Sequence, residues 1–286
     1  MAGSLWLPPK SAVATVLMHP GSGPSDRDND VYFPQIREHL LGADIAVCSF
    51  DKRGVGGSSG RWQDAGIVEQ ADDLSACHAH LLADATVPKP IGLFGHSQGG
   101  WVVVDAAAQW PEIAFVVANS GPGVTPAEQE RYSHRSYLVE HGVPTHELAG
   151  ALAPYDDLVA ALRRRATFEE VRPQLEQKQL PDAYRRLDLM LFPDDEELWS
   201  FFLRIFDFEP RSRLKRVQVP LLALFGGDDP IVPVAESVRA YREAVRPELL
   251  TVAVFPGAGH RVQSGDPPAV ATGYLETLSG FVRRCA

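Results

Sequence analysis

The segment Ile91-Gly92-Leu93-Phe94-Gly95-His96-Ser97-Gln98-Gly99-Gly100 decides how the rest of this sequence is interpreted. Its apolar start and the valine- and alanine-rich stretch that follows predict a strand, a sharp turn and a helix. Glycines two residues either side of Ser97 allow the turn to be tight while strand and helix stay close. The pattern would place a serine hydroxyl at the end of the strand, whereas a glycine-rich turn with an idle serine is the plainer alternative.

The rest of the sequence alternates short apolar runs with longer helix-like segments, the pattern of a mostly parallel sheet with helices on both faces. The predicted strands are Gly3–Leu7, Ala12–Met18, Ile45–Phe50, Ile91–Phe94, Ala114–Asn119, Leu221–Phe225 and Thr251–Phe255. The predicted helices between them include Tyr32–Leu41, Ile67–Leu82, Gln98–Trp110 and Val234–Val245. We therefore expect an α/β fold with a twisted, mostly parallel sheet.

Between residues 122 and 213 this alternation stops, and the sequence becomes polar and helical in character without a convincing strand. Thr125-Pro126-Ala127-Glu128 combines a capping-box pattern with proline at the first helical position, and Gly142 is a natural end for that helix. A second helix is predicted to start at Asp194–Glu197. The predicted parts are a first core part at 1–121, an inserted helical cap or lid at 122–213 and a second core part at 214–286.

The predicted cap is expected to form much of a pocket wall and to influence substrate choice. Its aromatic and leucine side chains indicate a partly apolar pocket, although ordinary cap packing would use the same residues. These side chains are Tyr132, Tyr137, Leu138, Leu191, Phe192, Trp199, Phe202 and Phe206. The cap histidines His134, His141 and His146 could contact the substrate, although a surface position is the default expectation.

A serine hydroxyl is a weak nucleophile until a base takes its proton, so Ser97 needs a nearby histidine with an acidic partner. His260 is the only histidine after the predicted cap, and it follows the last predicted strand. Loops at the carboxyl ends of parallel strands are where such sheets place their sites. We therefore predict that His260 is the general base, although an isolated loop histidine is commonly a surface residue.

The acid is expected in the loop Gly226-Gly227-Asp228-Asp229-Pro230-Ile231-Val232-Pro233, which follows the preceding predicted strand. Asp229 is preferred, because Asp228 is well placed to cap the local turn with its own side chain. Asp228 remains the alternative acid. A third possibility is that both aspartates only shape the turn, which would leave His260 without a partner.

Acyl transfer passes through an oxyanion, which requires backbone N–H donors that are already in place. The amide of Gln98, directly after the serine, is one expected donor. The second should come from the loop His19-Pro20-Gly21-Ser22-Gly23, which follows an early predicted strand. Ser22 is the preferred donor and Gly23 the alternative, and a purely structural glycine turn is also open.

Taken together, these features resemble the α/β-hydrolase superfamily of serine hydrolases, in its bacterial carboxylesterase-like branch. The resemblance spans nearly the whole chain outside the predicted cap. The segments that carry it are His19–Asp28, Asp51–Ser58, Gly95–Gly100 and Gly226–Pro233 with His260. Many members have His-Gly where this chain has His19-Pro20-Gly21. The Asp51–Ser58 turn and the cluster Asp26-Arg27-Asp28 are interpreted as structural or pocket-forming parts of this pattern.

The resemblance implies hydrolysis of an ester or a related acyl compound without a cofactor. With the partly apolar cap, we expect a small or medium carboxylic ester or a lactone as the small-molecule substrate, cleaved through an acyl-enzyme. Acyl transfer, thioester cleavage and amide or peptide cleavage by the same three residues remain alternatives. A more remote alternative is a ligand-binding member of the fold that has no catalytic activity. The sequence does not indicate an oligomeric state.

Composition limits the remaining possibilities. A formal net charge of −10, with lysine and arginine scattered apart from short runs, disfavours nucleic-acid binding. Three cysteines cannot all pair, and no run is long enough to span a membrane, so we expect a soluble, cytoplasmic protein without membrane association. No metal is expected, because His78 and His80, two positions apart on a predicted helix, would point away from each other.

Overall fold

A computed structural model describes residues 1–176 and 193–286, in which seven strands form one sheet in the order β1-β3-β2-β4-β5-β6-β7. The strands are β1 Gly3–Trp6, β2 Ala14–His19, β3 Ile45–Phe50, β4 Ile91–His96, β5 Val116–Asn119, β6 Leu221–Gly226 and β7 Leu250–Phe255. β1 pairs antiparallel with β3, and the other neighbours pair parallel. All seven predicted strands are present, which confirms the predicted fold class.

Ten α-helices are found in the described residues. They are α1 Phe33–Gly42, α2 Ile67–Ala83, α3 Gln98–Ala107, α4 Pro126–Glu140, α5 Leu148–Arg163, α6 Phe168–Glu176, α7 Glu196–Ile205, α8 Pro210–Leu214, α9 Val234–Ala244 and α10 Tyr274–Cys285. Short 3₁₀ helices at Trp62–Asp64 and Pro247–Leu249 and a hairpin of β8 Gln263–Ser264 with β9 Ala269–Val270 complete the fold. α3 ends at Ala107, before the predicted Trp110, and Pro111 disfavours helical backbone at Trp110 itself.

The sheet is buried on both faces, which explains why its strands are almost continuously apolar. α2, α3 and α9 cover one face with side chains such as Leu74, Val103 and Tyr241. α1 and α10 cover the other face, where Ile36 and Leu278 are buried. The carboxyl ends of the parallel strands therefore meet at one edge of the sheet, together with the loops that follow them.

Helices α4 to α8 lie between β5 and β6, within the stretch predicted to form the cap. The predicted capping box is present, since the Glu128 N–H donates to Thr125 Oγ1 at 3.3 Å and the Thr125 N–H donates to Glu128 Oε2 at 2.9 Å. The N-terminus of α7 is capped by Asp195, whose side chain accepts from the Leu198 N–H at 2.7 Å. The exact division into core and cap stays a prediction, and Leu191 and Phe192 lie outside the described residues.

An ion pair joins the cluster Asp26-Arg27-Asp28 to the Asp51–Ser58 turn, the two motifs interpreted above as structural or pocket-forming. Arg27 Nη2 donates to Asp51 Oδ2 at 2.6 Å, while its backbone N–H and its Nε each donate to Asp51 Oδ1 at 3.0 Å. The Gly57 N–H adds a bond to Oδ2 at 2.9 Å. Gly56, with φ +52°, must be glycine here because an added Cβ would lie 2.4 Å from the same oxygen. The loop after β2 is thereby fixed to the loop after β3.

Asp51→Asn should lower the free energy of unfolding by about 2 kcal/mol, because Arg27 would keep its position without its charged acceptor. Hydrogen bonds from Arg27 are the main reason that the pKa of Asp51 is held well below its usual range. The contribution is therefore complete above an unfolded pKa of about 4 and is lost as the pH falls toward the folded pKa. Urea titrations at neutral and acidic pH measure the difference.

The matched control is Asp30→Asn, which removes an exposed ion pair between Asp30 and Arg261. It should cost no more than about 1 kcal/mol, because exposed pairs are weak and screened. Equal losses in the two variants would show that the Arg27–Asp51 pair is no more important than a surface contact.

Candidate active site

Ser97 lies in a strained turn between β4 and α3, with φ +54° and ψ −120°. Its N–H donates to the Asn119 carbonyl oxygen at 2.9 Å, which fixes the turn against the end of β5. A Cβ on Gly95 would lie 2.0 Å from the Gly99 carbonyl oxygen, and a Cβ on Gly99 would lie 2.6 Å from the His19 carbonyl oxygen. Both glycines flanking Ser97 are thus required by close backbone approaches.

His260 and Asp229 form a hydrogen bond of 2.8 Å between Nδ1 of the imidazole and Oδ2 of the carboxylate. The Asp229 side chain is fully buried, and its Oδ1 accepts from the N–H groups of Ile231 at 2.8 Å and Val232 at 3.0 Å. Because Nδ1 must donate to the carboxylate, a neutral imidazole carries its lone pair on Nε2. This arrangement can present Nε2 as a proton acceptor.

The neighbouring Asp228 is exposed, and its contact to the other loop is made by its backbone N–H, which donates to the Ala258 carbonyl oxygen at 2.9 Å. The expectation that the Asp228 side chain would cap the turn is wrong. Asp229 caps the turn with one carboxylate oxygen and meets His260 with the other. A single carboxylate does both because its two oxygens accept independently.

The loop that carries His260 is held from two neighbouring strands. Ser120, which follows β5 with φ +49°, donates its hydroxyl to the His260 carbonyl oxygen at 2.7 Å. After β6, the Gly227 N–H donates to the Phe255 carbonyl oxygen at 2.8 Å. A Cβ on Gly226 would lie 2.1 Å from the Gly259 carbonyl oxygen, so the loops after β6 and β7 approach as closely as backbones can.

His96, the residue before Ser97, is a buried neutral histidine that packs against two neighbouring rings. The ring centroid of His96 is 5.0 Å from that of His260 and 4.7 Å from that of Tyr32. Burial, followed by the charge of His260, lowers the pKa of His96 well below its ordinary value. The Asn119 side-chain amide lies 3.0 Å from both His96 Nδ1 and the Tyr32 hydroxyl. His96 therefore supports the His260 ring without adding a competing charge.

The predicted oxyanion loop lies beside Ser97, since a Cβ on Gly21 would be 3.6 Å from Ser97 Cβ. The Gly21 N–H donates to Asn29 Oδ1 at 3.2 Å, which removes it as a donor to a substrate. Ser22 and Gly23 both line the adjacent cavity, and so does Gln98. The Gln98 N–H belongs to the first turn of α3, where helix geometry provides no intrahelical acceptor.

That cavity has a volume of about 140 Å³ and extends from the oxyanion loop under α4, α5 and α7. Most of its wall is apolar. The apolar side chains are Trp62, Trp101, Pro126, Ala127, Leu158, Val159, Leu162, Leu198, Phe201, Phe202, Ile205 and Phe206. The wall that α4 contributes also carries polar groups, which are Gln129, Glu130 and His134.

The cap side chains singled out in the sequence divide into several groups. Phe202 and Phe206 line the cavity, and the Tyr132 hydroxyl donates to the Asp229 carbonyl oxygen at 3.1 Å. Trp199 and Leu138 are buried in cap packing away from it. The expected surface position is wrong for His134, which is only 1% exposed and packs against Tyr155 on the cavity wall. His141 and His146 are exposed, as expected.

Glu130 places a carboxyl group in this mostly apolar cavity, a feature that sequence reasoning missed. Burial raises its pKa to about 7, and a hydrogen bond with Gln129 and the charge of His260 oppose that rise. α4 is polar on most of its surface, so periodicity gave no sign of which face would be covered. The carboxyl group is consequently neutral at acidic pH and becomes charged near neutrality.

Within residues 1–176 and 193–286, no group of three or more histidine, cysteine or acidic side chains is arranged to hold a metal ion. Over the same residues, no helix has the length and apolar character needed to cross a membrane.

A serine at a strained strand-to-helix turn, at the same sheet edge as an aspartate-bound histidine, is typical of an α/β-hydrolase, and this chain belongs to that class. It belongs more particularly to the family described as serine aminopeptidase, S33, whose model matches residues 30–267. Proteins of this family are hydrolases.

Individual relatives are distant. A putative carbamate hydrolase, RutD, from Rhizobium rhizogenes is 26% identical over 230 residues, which cover 79% of this chain and 78% of the relative. The monoacylglycerol lipase of Paleococcus ferrophilus superposes with a TM-score of 0.64 at 20% identity and covers both chains completely. The esterase Pf2001 of Pyrococcus furiosus has a TM-score of 0.59 at 18% identity, over 96% of this chain and 83% of its own. At these identities the two structures demonstrate the shared fold.

Gly226→Ala should lower the free energy of unfolding by about 2 kcal/mol, because the new methyl group would overlap the Gly259 carbonyl oxygen and push the two site loops apart. The matched control is Gly259→Ala in the opposing loop, where the nearest atom to an added Cβ is 3.9 Å away. That variant should change the free energy by less than about 1 kcal/mol in the same urea titration. Similar losses of unfolding free energy in the two variants would contradict the close approach of Gly226 to the Gly259 carbonyl group.

Proposed function

We propose that this protein is a serine hydrolase that cleaves small or medium carboxylic esters or lactones through an acyl-enzyme. Ser97 is the nucleophile, His260 the general base and Asp229 the acid that orients His260. The observation that carries the proposal is the 2.8 Å hydrogen bond from His260 to the fully buried Asp229, formed at the same sheet edge as the strained Ser97 turn. Membership of a hydrolase family supports it.

In the proposed reaction, His260 Nε2 takes the proton of the Ser97 hydroxyl as Ser97 Oγ attacks the carbonyl carbon. The resulting oxyanion is bound by the N–H groups of Gln98 and Ser22, with Gly23 as the alternative donor. The intermediate collapses to an acyl-enzyme, and the protonated imidazole gives its proton to the departing alcohol. His260 then activates a water molecule that releases the acid.

Asp229 remains ionised through this cycle and acts through geometry and charge. Its hydrogen bond keeps the proton of a neutral imidazole on Nδ1, so Nε2 faces the reaction. It also stabilises the imidazolium that forms when Ser97 loses its proton. The two backbone N–H bonds to the other oxygen prevent the carboxylate from turning away.

The cavity beside Ser22 and Gln98 indicates where one side of the substrate binds. A volume of about 140 Å³ with a mostly apolar wall suits a short acyl or alcohol group. Esters are supported by the fold shared with an esterase and a lipase, while carbamate and peptide chemistry are represented by RutD and by the family description. Acyl transfer and thioester cleavage would use the same three residues, and product analysis with competing alcohols and amines separates them from hydrolysis.

Kinetics with p-nitrophenyl butyrate test the three assigned residues. Ser97→Ala should abolish turnover, and Asp229→Asn should reduce kcat by roughly 10⁴-fold because the imidazole would lose its orienting charge and preferred tautomer. Asp228→Asn is the matched control, since Asp228 is exposed and adjacent in sequence, and it should leave kcat unchanged. Full activity in Ser97→Ala would overturn the proposal, and a large loss in Asp228→Asn alone would move the acid to that residue.

Glu130 gives the proposed reaction a pH-dependent binding step. Because the pKa of Glu130 is about 7, its carboxyl group is neutral below that pH and brings a charge into the apolar cavity above it. The KM for an apolar acyl ester should therefore rise between about pH 6 and about pH 8 in the unmodified protein but stay level in Glu130→Gln. Initial-rate measurements across this pH range test both proteins.

The control is Glu140→Gln, at the exposed end of the same helix, which should keep the rise in KM. A rise that persists in Glu130→Gln would show that another group causes it. If an aminoacyl substrate instead binds more tightly as the pH rises, the Glu130 carboxylate is pairing with an ammonium group, and aminopeptide cleavage becomes the better assignment.

A further inference from the structure

Lys52, in the turn after β3, is a buried lysine that the proposed reaction does not use. It is only 5% exposed, and its ammonium group donates to the Gly21 carbonyl oxygen, to Gln98 Oε1 at 3.0 Å and to the Gly23 carbonyl oxygen at 3.4 Å. Within the described residues no carboxylate pairs with it, and burial lowers its pKa to about 7. Burying a cation without a counter-charge is costly, so its position requires an explanation.

The groups that accept hydrogen bonds from Lys52 belong to the residues that form the proposed oxyanion hole or flank it. The Gly21 carbonyl belongs to the same peptide group as the Ser22 N–H, which is the preferred oxyanion donor. A hydrogen bond to the oxygen of a peptide group draws electron density from it and makes the N–H a stronger donor. The contact with Gln98 ties this loop to the residue that supplies the second donor.

We propose that Lys52 is a positioning residue of the oxyanion hole, which fixes the Gly21–Gly23 loop against Gln98 and polarises the Ser22 N–H. The inference rests on the function proposed above. Its effect should fall on the transition state, because the donors gain most from being rigid and polarised when the oxygen carries a full charge. Lys52 does not touch the substrate and should contribute little to binding in the ground state.

Several titratable or charged groups face Lys52, and Met1, which carries the N-terminal amino group, lines the same small space. From β2, His19 is held neutral, since burial and the charge of Lys52 lower its pKa to about 3. Arg53 and Asp73, which line the same small space, form an ion pair that raises the pKa of Arg53 further. Gln98, from α3, is uncharged. Loss of the Lys52 proton should therefore reduce kcat as the pH rises above neutrality.

The test replaces Lys52 with methionine, which has similar length but neither charge nor donor. For p-nitrophenyl butyrate, kcat should fall about 100-fold while KM stays within about threefold. The inhibition constant of a boronic acid that forms a tetrahedral adduct on Ser97 should rise by a similar factor. The fall of kcat on the basic side of the pH profile should disappear. Lys52→Gln, which keeps one hydrogen-bonding group, provides a second variant if Lys52→Met does not fold.

Lys89→Met is the matched control. Lys89 also donates to three backbone carbonyl oxygens, those of Leu81, Asp84 and Val87, at 2.8, 3.0 and 2.9 Å. It lies just before β4, at the opposite end of that strand from the Ser97 turn. It should change stability without changing kcat or boronic acid binding. Folded Lys52 variants with unchanged kcat and unchanged boronic acid affinity would overturn the inference. Full activity in Ser97→Ala would instead overturn the proposed function itself.

Discussion

The backbone conformation at Ser97 is the constraint on which the rest of the site depends. A residue with a side chain at φ +54° is strained, and such strain persists only where the surrounding structure enforces it. Here Gly95 and Gly99 let the strand, the turn and the loop after β2 approach to distances that any side chain would prevent. These close backbone approaches hold the serine at the sheet edge.

Asp229 and His260 lie in loops that are held by buried polar contacts. Asp229 uses both carboxylate oxygens, one for its own turn and one for His260. Ser120 holds the backbone of His260, and Lys52 holds the loop Gly21–Gly23. Buried polar groups are costly when unpaired, so each contact fixes a loop in one position. Rigidity of this kind is what stabilisation of a developing oxyanion requires.

Much of the fold could be predicted because its signals are local. Strands buried on both faces are apolar runs, and the capping box at Thr125 is readable from four residues. The bounds of α5 are not readable from the sequence, because Pro154 within it would ordinarily indicate a break. The order of Ser97, Asp229 and His260 after three predicted strands was enough to place them at one sheet edge, because parallel strands end on the same side.

Side-chain environments inside the molecule were not predictable in the same way. Glu130 and His134 lie on the face of α4 that is covered because α5 and α7 enclose the same cavity, and no pattern within α4 indicates that face. Lys52 donates hydrogen bonds to Gly21 and Gln98, which are far from it in the sequence. Such contacts depend on tertiary packing, and the sequence carried only the residue types.

Covalent labelling with a fluorophosphonate probe, followed by mass spectrometry of the peptides, tests the central claim most directly. An activated serine should be phosphonylated at Ser97 under mild conditions, and the adduct should be absent from Ser97→Ala. Labelling confined to Ser97 is the result this account predicts. A folded protein that stays unlabelled, or that is labelled equally well after Ser97→Ala, would contradict it.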